Sequence, residues 1–396
     1  MSIASNSLAC GSVDYREGTS LTPSLPNSSR RGTSGDNDLA SCVLQSGVTG
    51  PLSVLPSLAP SNFRLEWLAP CVFKIYSRLY PDISICCKRY RICRCDGINP
   101  AVDEGRTEYD NFAEFARRNT DGRARCPIPV GLIEQEQLLV TQTVPGKRIS
   151  IAFNAKSRSQ TGLIVSLCAD WLRSYHRQMP VRPQNLELNV PYVASCYANR
   201  TLEVLQSLPL STALQDVVLQ AELFVYEQSS VRHMLPVRIH GDFGAANISS
   251  YRDTITVFDV PEFRVSSPFL DIACFALSSE LSSAVRFRRG PDGFEIANLL
   301  WRHYRGGLTD SGLEHDPEYL VFHALGLLRL TSLHFTKAAS LANVMRVPVF
   351  FHLNALYVER FRKLFAAVEH RTGRLSQPSV YVQPLVSGET ASLPSG

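Results

Sequence analysis

One stretch, Val237–Asp259, reading VRIHGDFGAANISSYRDTITVFD, constrains the fold most. Val237-Arg238-Ile239 alternates like a short strand feeding a loop. His240-Gly241-Asp242 opens that loop, and Asn247 follows five residues after the Asp. Asn247–Ser250 and Thr254–Phe258 then read as two strands around the turn Tyr251-Arg252-Asp253. A hairpin this short carries the chain back, so Asn247 and Asp259 are expected to face one ion. An Asp to handle a proton, with an Asn and a second Asp to hold a metal, is the polar kit of a phosphoryl-transfer site. Mg²⁺ prefers carboxylate and amide oxygens and keeps several waters, which suits this set. Taken singly, each acid or amide reads as a turn cap; the spacing of the set is what points to chemistry.

At these residues the sequence resembles the aminoglycoside phosphotransferase and choline kinase-like family, whose catalytic domain is related to protein kinases. The family's pattern is H-G-D-x-x-x-x-N, a hydrophobic strand ending in Asp, and a D-x-A segment opening a helix. Here these are His240-Gly241-Asp242, Asn247, Val257-Phe258-Asp259 and Asp271-Ile272-Ala273. Where most members have a second His or a Pro between the Asp and the Asn, this chain has Gly244-Ala245-Ala246. That departure keeps the metal ligands and changes the loop's shape. The resemblance runs from Phe63 to Lys363 and implies an α+β, bilobal protein kinase-like fold. Its N-terminal lobe is a small antiparallel β-sheet with one helix, and its larger C-terminal lobe is mainly helical.

The 396 residues suffice for one large domain or two. A net charge of +4 makes no electrostatic case for nucleic acid. The eleven cysteines are scattered, and the one cluster, Cys86, Cys87, Cys93 and Cys95, matches no common zinc spacing. Reduced thiols in a cytoplasmic protein account for them. The chain opens without a basic segment followed by an apolar one, so no secretory signal is expected. The apolar stretch Tyr319–Leu330 is broken by His323 and Arg329, and no membrane span is expected.

Residues 1–60, rich in Ser, Gly, Pro, Asn and Thr, read as a disordered leader. Residues 61–143 are expected to form the nucleotide-binding lobe, 144–370 the catalytic and acceptor-binding lobe, and 371–396 a flexible tail. Cys71–Tyr76 and Ile83–Tyr90 read as neighbouring strands. Val102–Arg118 has the amphipathic pattern of a helix, with Glu108 on the stripe of Phe112 and Phe115; Glu104 and Glu114 fit that stripe less well. Ile128–Glu134 and Gln137–Thr143 form a hairpin ending at Val144-Pro145-Gly146, and the chain after Gly162 reads mainly helical.

The resemblance assigns further roles. A Lys in the third strand of the small lobe grips the nucleotide's phosphates, and Lys88 fits, with Lys74 as competitor; an exposed strand Lys guarding an edge is the plain alternative. The family's strand-Lys to helix-Glu pair would join Lys88 to Glu108, a carboxylate that wants a partner if buried. Backbone groups of Val140, Thr141, Gln142 and Thr143 would meet the adenine. His176 would pack behind the catalytic loop, Asp271 would brace that loop, and His240 would shape it.

The expected function is therefore ATP-dependent transfer of phosphate to a hydroxyl of a small molecule such as an aminoglycoside, amino-alcohol or sugar. Asp242 would orient the acceptor hydroxyl and accept its proton, Asn247 and Asp259 would hold Mg²⁺, and the partners are a nucleotide and a small-molecule acceptor. A protein kinase fits less well. Gly241 replaces the usual Arg, Val260-Pro261 follows Asp259, and Asn62–Arg94 lacks the glycines of a phosphate loop. A non-catalytic nucleotide-binding or scaffold protein of the same fold is the alternative from another class. Glu262, Glu280, Glu314, Asp316 and Glu318 are acids that a cationic acceptor would call for, and they are given no role.

Overall fold

The computed structural model describes residues 34–55, 57, 59–69, 71–90, 92–93, 102–119, 122–149, 158–179, 181, 187–206, 212–260, 264–284, 292–307, 312–341 and 343–372. They fall into two compact units, one of residues up to 90 with 130–143, the other of residues 91–129 with those from 144 on.

The first unit is a five-stranded sheet. Strands β1 (Phe63–Ala69), β2 (Val72–Ser77) and β3 (Ser84–Arg89) run antiparallel in sequence order. Next to β3 comes β5 (Leu138–Gln142), then β4 (Pro129–Ile133) at the edge. Strand β2 alternates as its sequence requires, with Phe73, Ile75 and Ser77 inward. Ala69 faces Val72 across the β1–β2 turn, so Pro70 and Cys71 alone connect the strands.

The leader expectation fails from Ser34 onward. Ser34–Gln45 is a helix, α1, and Gly50–Val54 is a 3₁₀ turn. Leu39, Ala40, Val43 and Leu44 of α1, with Leu52, are buried in one cluster with Phe73, Ile75, Ile85, Leu138 and Val140. The physical reason is a short apolar stripe at helical spacing, hidden among Ser, Gly and Asn that dominate the average composition. Each Leu or Val so buried contributes roughly 1.5–3 kcal/mol. Residues 1–33 of the expected leader and the tail beyond 372 lie outside the described residues.

The first helix of the second unit is α2 (Glu104–Arg118). The expected boundary at 143 placed this helix with the sheet, but it groups with the helical unit. Its buried face decides this: Phe115 lies 5.3 Å from Trp171 and 5.9 Å from Tyr175 of α3 (Arg158–Gln178). Helices α4 (Val190–Gln206), α5 (Thr212–Gln228), α6 (Phe269–Ala284), α7 (Gly293–Tyr304), α8 (Pro317–Ala339) and α9 (Asn343–Thr372) follow. Asp292 caps α7 by accepting the Phe294 amide at 2.9 Å, and Asp316 caps α8 through Tyr319 at 3.0 Å. Helix α8 is buried continuously from Glu318 to Leu328, so it is the unit's central helix.

Against these helices lies a small sheet. The expected hairpin is present as β7 (Ile248–Tyr251) and β8 (Thr254–Val257), with Ile248 opposite Val257. Lys147–Arg148 pairs with β7, and Ala124–Arg125 runs parallel to β8. Gly146, at φ +105°, lets the chain pass against the Ser250 carbonyl, where a Cβ would collide. Strand β6 (Val237–Arg238) pairs with β9 (Val265–Ser266) and leads into the loop His240–Asn247. Among the described residues no helix is long and apolar enough to cross a membrane.

Candidate active site

From β6 the chain enters the loop His240–Asn247. Gly241 turns it with φ +80°, a left-handed conformation that costs a residue with a Cβ roughly 1–2 kcal/mol. The amides of His240 and Gly241 donate to the two oxygens of Asp271 at 2.8 and 2.9 Å. Asp271 stands in the first turn of α6, fully buried, and also accepts His176 Nε2 at 3.1 Å. His176 Nδ1 meets the Tyr304 hydroxyl at 3.0 Å. Burial opposes the charge of Asp271, but the hydrogen bond and charge of His176, with the hydrogen bond from the His240 backbone amide, hold its carboxyl below the usual range. A buried anion thus fastens the loop from beneath.

His240 is itself buried, at 1% exposure, and both ring nitrogens are engaged. Nδ1 accepts the Asp242 amide at 3.2 Å, so Nε2 carries the proton and donates to the Phe258 carbonyl at 2.9 Å. This ring shapes the loop. Behind it Trp171 stacks on Tyr175 and on Phe243, with centroids 4.8 and 5.4 Å apart.

The loop's outer groups are drawn together. Asn247 Nδ2 donates to the Asp242 carbonyl at 3.0 Å and to Asp242 Oδ2 at 3.1 Å. The Asn247 carbonyl accepts the Phe258 amide at 2.8 Å, which locks the loop's end to the residue before Asp259. Asp259 has φ +62°, a region Asp enters more readily than most residues. Such conformations persist where the surroundings enforce them, and they cluster at functional sites.

Helix α2 supplies the enforcement. Glu108, 2% exposed, accepts the Val260 amide through Oε1 at 3.2 Å, and Asn111 Nδ2 donates to the Val260 carbonyl at 2.6 Å. Both polar groups of the residue after Asp259 are therefore pinned. Glu114 departs from expectation: it is buried and lies 3.0 Å from Arg118 and 3.9 Å from Arg238. Arg238 enters the core, so a carboxylate can follow it inward.

In the first unit Lys88 lies on β3 opposite Leu139, with Cys87 opposite Val140, Cys86 opposite Thr141 and Ile85 opposite Gln142. Lys88 and the strand expected to meet the adenine are thus neighbours. Thr143 Oγ1 is buried with no hydrogen-bond partner among the described residues. The competitor Lys74 places its ammonium over the Tyr76 ring, 5.2 Å from the centroid.

Sequence reasoning missed Arg329. On α8, its guanidinium lies 2.9 Å from Asp242 Oδ1 and donates to the Gly241 carbonyl at 3.1 Å. The available signal was a single charge interrupting an apolar helical stretch, where an unpaired guanidinium is costly. The acids considered for a cationic acceptor have structural partners. Glu280 meets Arg360 at 2.7 Å, Glu314 accepts the Asn298 amide at 2.7 Å, Asp316 is a helix cap, and Glu318 takes the amides of His233 and Met234. Glu262 lies outside the described residues.

No family model and no curated protein matches this sequence. Solved structures do. A choline/ethanolamine kinase family protein from Mesorhizobium loti is 17% identical with a TM-score of 0.53, covering 83% of this chain and 100% of its own. A choline kinase from Cryptosporidium parvum Iowa II is 10% identical at TM-score 0.53, covering 85% and 98%. The GDP complex of aminoglycoside 2'-phosphotransferase-IIIa is 11% identical at TM-score 0.51, covering 82% and 99%. At these identities the likeness establishes a shared fold, the α+β kinase-like fold of these small-molecule kinases.

Proposed function

We propose, from a fold shared with choline kinases and an aminoglycoside phosphotransferase, that this chain transfers the γ-phosphoryl group of ATP to a hydroxyl of a small molecule such as an aminoglycoside, amino-alcohol or sugar. The observation that carries the reading is the fastening of Asp242, Asn247 and the approach to Asp259 into one loop by Asp271, His240 and Phe258. In the transfer the bond from the γ-phosphorus to the β–γ bridging oxygen breaks, the acceptor oxygen bonds to phosphorus, and the hydroxyl proton passes to Asp242. A carboxylate offers about four acceptor positions, so the Asn247 and Arg329 contacts leave Asp242 room for that proton.

Asn247 and Asp259 would hold Mg²⁺, which when bound neutralises charge on the phosphates. Their chemistry fits. Among the described residues no three His, Cys, Asp or Glu side chains gather as a metal site, and Mg²⁺ characteristically takes one or two protein oxygens with waters and phosphates. The Asn247 amide nitrogen is turned to Asp242, which directs the amide oxygen elsewhere. Lys88 would grip the phosphates, as the resemblance implies, while Glu108, whose Oε1 accepts the Val260 amide, would hold the backbone after Asp259. Val140–Thr143 takes the adenine, and the Thr143 hydroxyl, which has no hydrogen-bond partner among the described residues, fits a polar nucleotide group.

A thermal-shift titration tests the reading. Mg·ATP is expected to raise the melting temperature of the parent, by mass action, and to leave Asp259→Ala unmoved. Equal shifts in both proteins would remove Asp259 from the site. A shift without transfer to any acceptor would favour a non-catalytic nucleotide-binding protein.

A further inference from the structure

Arg329 sits in α8 directly after the run that is buried without a break from Glu318 to Leu328. Its side chain is 16% exposed. One guanidinium nitrogen lies 2.9 Å from Asp242 Oδ1; the other donates to the Gly241 carbonyl at 3.1 Å and approaches Cys274 Sγ at 3.7 Å. On its far side Asp242 Oδ2 takes the Asn247 amide at 3.1 Å, and the Asp242 carbonyl takes the same amide at 3.0 Å. The two carboxylate oxygens are therefore held from opposite sides, one by a cation rooted in the central helix.

We propose that Arg329 is a positioning residue for phosphoryl transfer, fixing the plane of the Asp242 carboxylate and the peptide of Gly241 at once. The inference rests on reading Asp242 as the catalytic carboxylate. The choice of residue follows from shape. A guanidinium is a planar fork that can meet a carboxylate and a carbonyl together, whereas an ammonium is a point charge on a flexible stem. Taking a guanidinium out of water is costly unless its partners compensate, and here two of those partners, the Asp242 carboxylate and the Gly241 carbonyl, belong to the catalytic loop. The loop's own sequence does not supply this group: Gly241 stands where protein kinases carry an Arg. Arg329 brings a guanidinium back to that peptide from a helix 88 residues later in the chain. Misplacing a reacting group by about 1 Å can cost roughly 10²-fold in rate, so the effect should appear in turnover.

The test needs no known acceptor, because water can serve. Phosphate release from Mg·ATP is measured for the parent, Arg329→Lys, Arg329→Gln and Arg329→Ala, with nucleotide affinity and melting temperature determined for each. The expected result is a turnover number about 10²-fold lower in Arg329→Gln with nucleotide affinity unchanged. Arg329→Lys should fall between it and the parent, and guanidinium added below denaturing concentrations should restore part of the turnover of Arg329→Ala. Rescue by guanidinium separates positioning from a merely structural role. Parental turnover in folded Arg329→Gln would overturn the inference and leave the phosphotransferase reading standing. Turnover lost in step with melting temperature, with no rescue, would also overturn it. A parent protein that neither binds Mg·ATP nor releases phosphate would refute the phosphotransferase reading, and this inference with it.

Discussion

Asp242 stands at the end of a series of fastenings that begins at Asp271, whose oxygens hold the amides of His240 and Gly241. Positioned proton transfer is worth roughly 10²–10⁴-fold, so Asp242→Asn should lower turnover by that factor while nucleotide binding persists, read by steady-state kinetics beside calorimetry. Asp271 has a different signature. Its folded carboxyl is held below the ordinary value, so its stabilisation is present above about pH 4 and is lost as pH falls through the folded value. Asp271→Asn breaks a buried pair and should cost about 3–5 kcal/mol near neutrality. Denaturant melts across the acid range should then show a shallower acid limb in Asp271→Asn than in the parent, and parallel limbs would rule that origin out. These residues were legible because the H-G-D loop, the Asn and the D-x-A segment are close in sequence. Arg329 was not, because it reaches Asp242 from a helix whose register no local pattern reveals.

At the scale of elements, hydrophobic periodicity marked the strands, the hairpin and most helices, since each shows one buried face. It failed at α1, where four apolar residues lie among polar ones. Leu52 packs with α1 against the sheet and is fully buried. Leu52→Ala should therefore cost about 2–5 kcal/mol; in a flexible leader the same change would cost nothing, and chemical denaturation distinguishes the two. Where α6, α7 and α9 meet, burial pushes the Glu280 carboxyl up to about 7 despite the opposing pull of Arg360. A carboxyl with a raised folded value makes stability fall as pH rises from about 4.5 to about 7. Glu280→Gln cannot ionise, so its stability should vary less over that window. An unchanged slope would locate the dependence in another group.

For the whole molecule, the fold class was readable because one motif ties a hairpin to a helical unit in a way few architectures allow. The grouping of α2 was not, because sequence order places it within the sheet's segment while Phe115, Asn111 and Glu108 pack on Trp171 and Val260. The acceptor is likewise unwritten in local pattern, since four of the acids that might have announced a cationic one, Glu280, Glu314, Asp316 and Glu318, have structural partners. Phosphorus NMR of Mg·ATP with a panel of aminoglycosides, amino-alcohols and sugars addresses the central claim most directly. The account predicts a new phosphate-ester resonance for at least one acceptor with the parent protein, formed about 10²–10⁴-fold more slowly with Asp242→Asn. An ester that forms at the same rate in both proteins, or a parent that binds Mg·ATP and yields no ester with any acceptor, would contradict it.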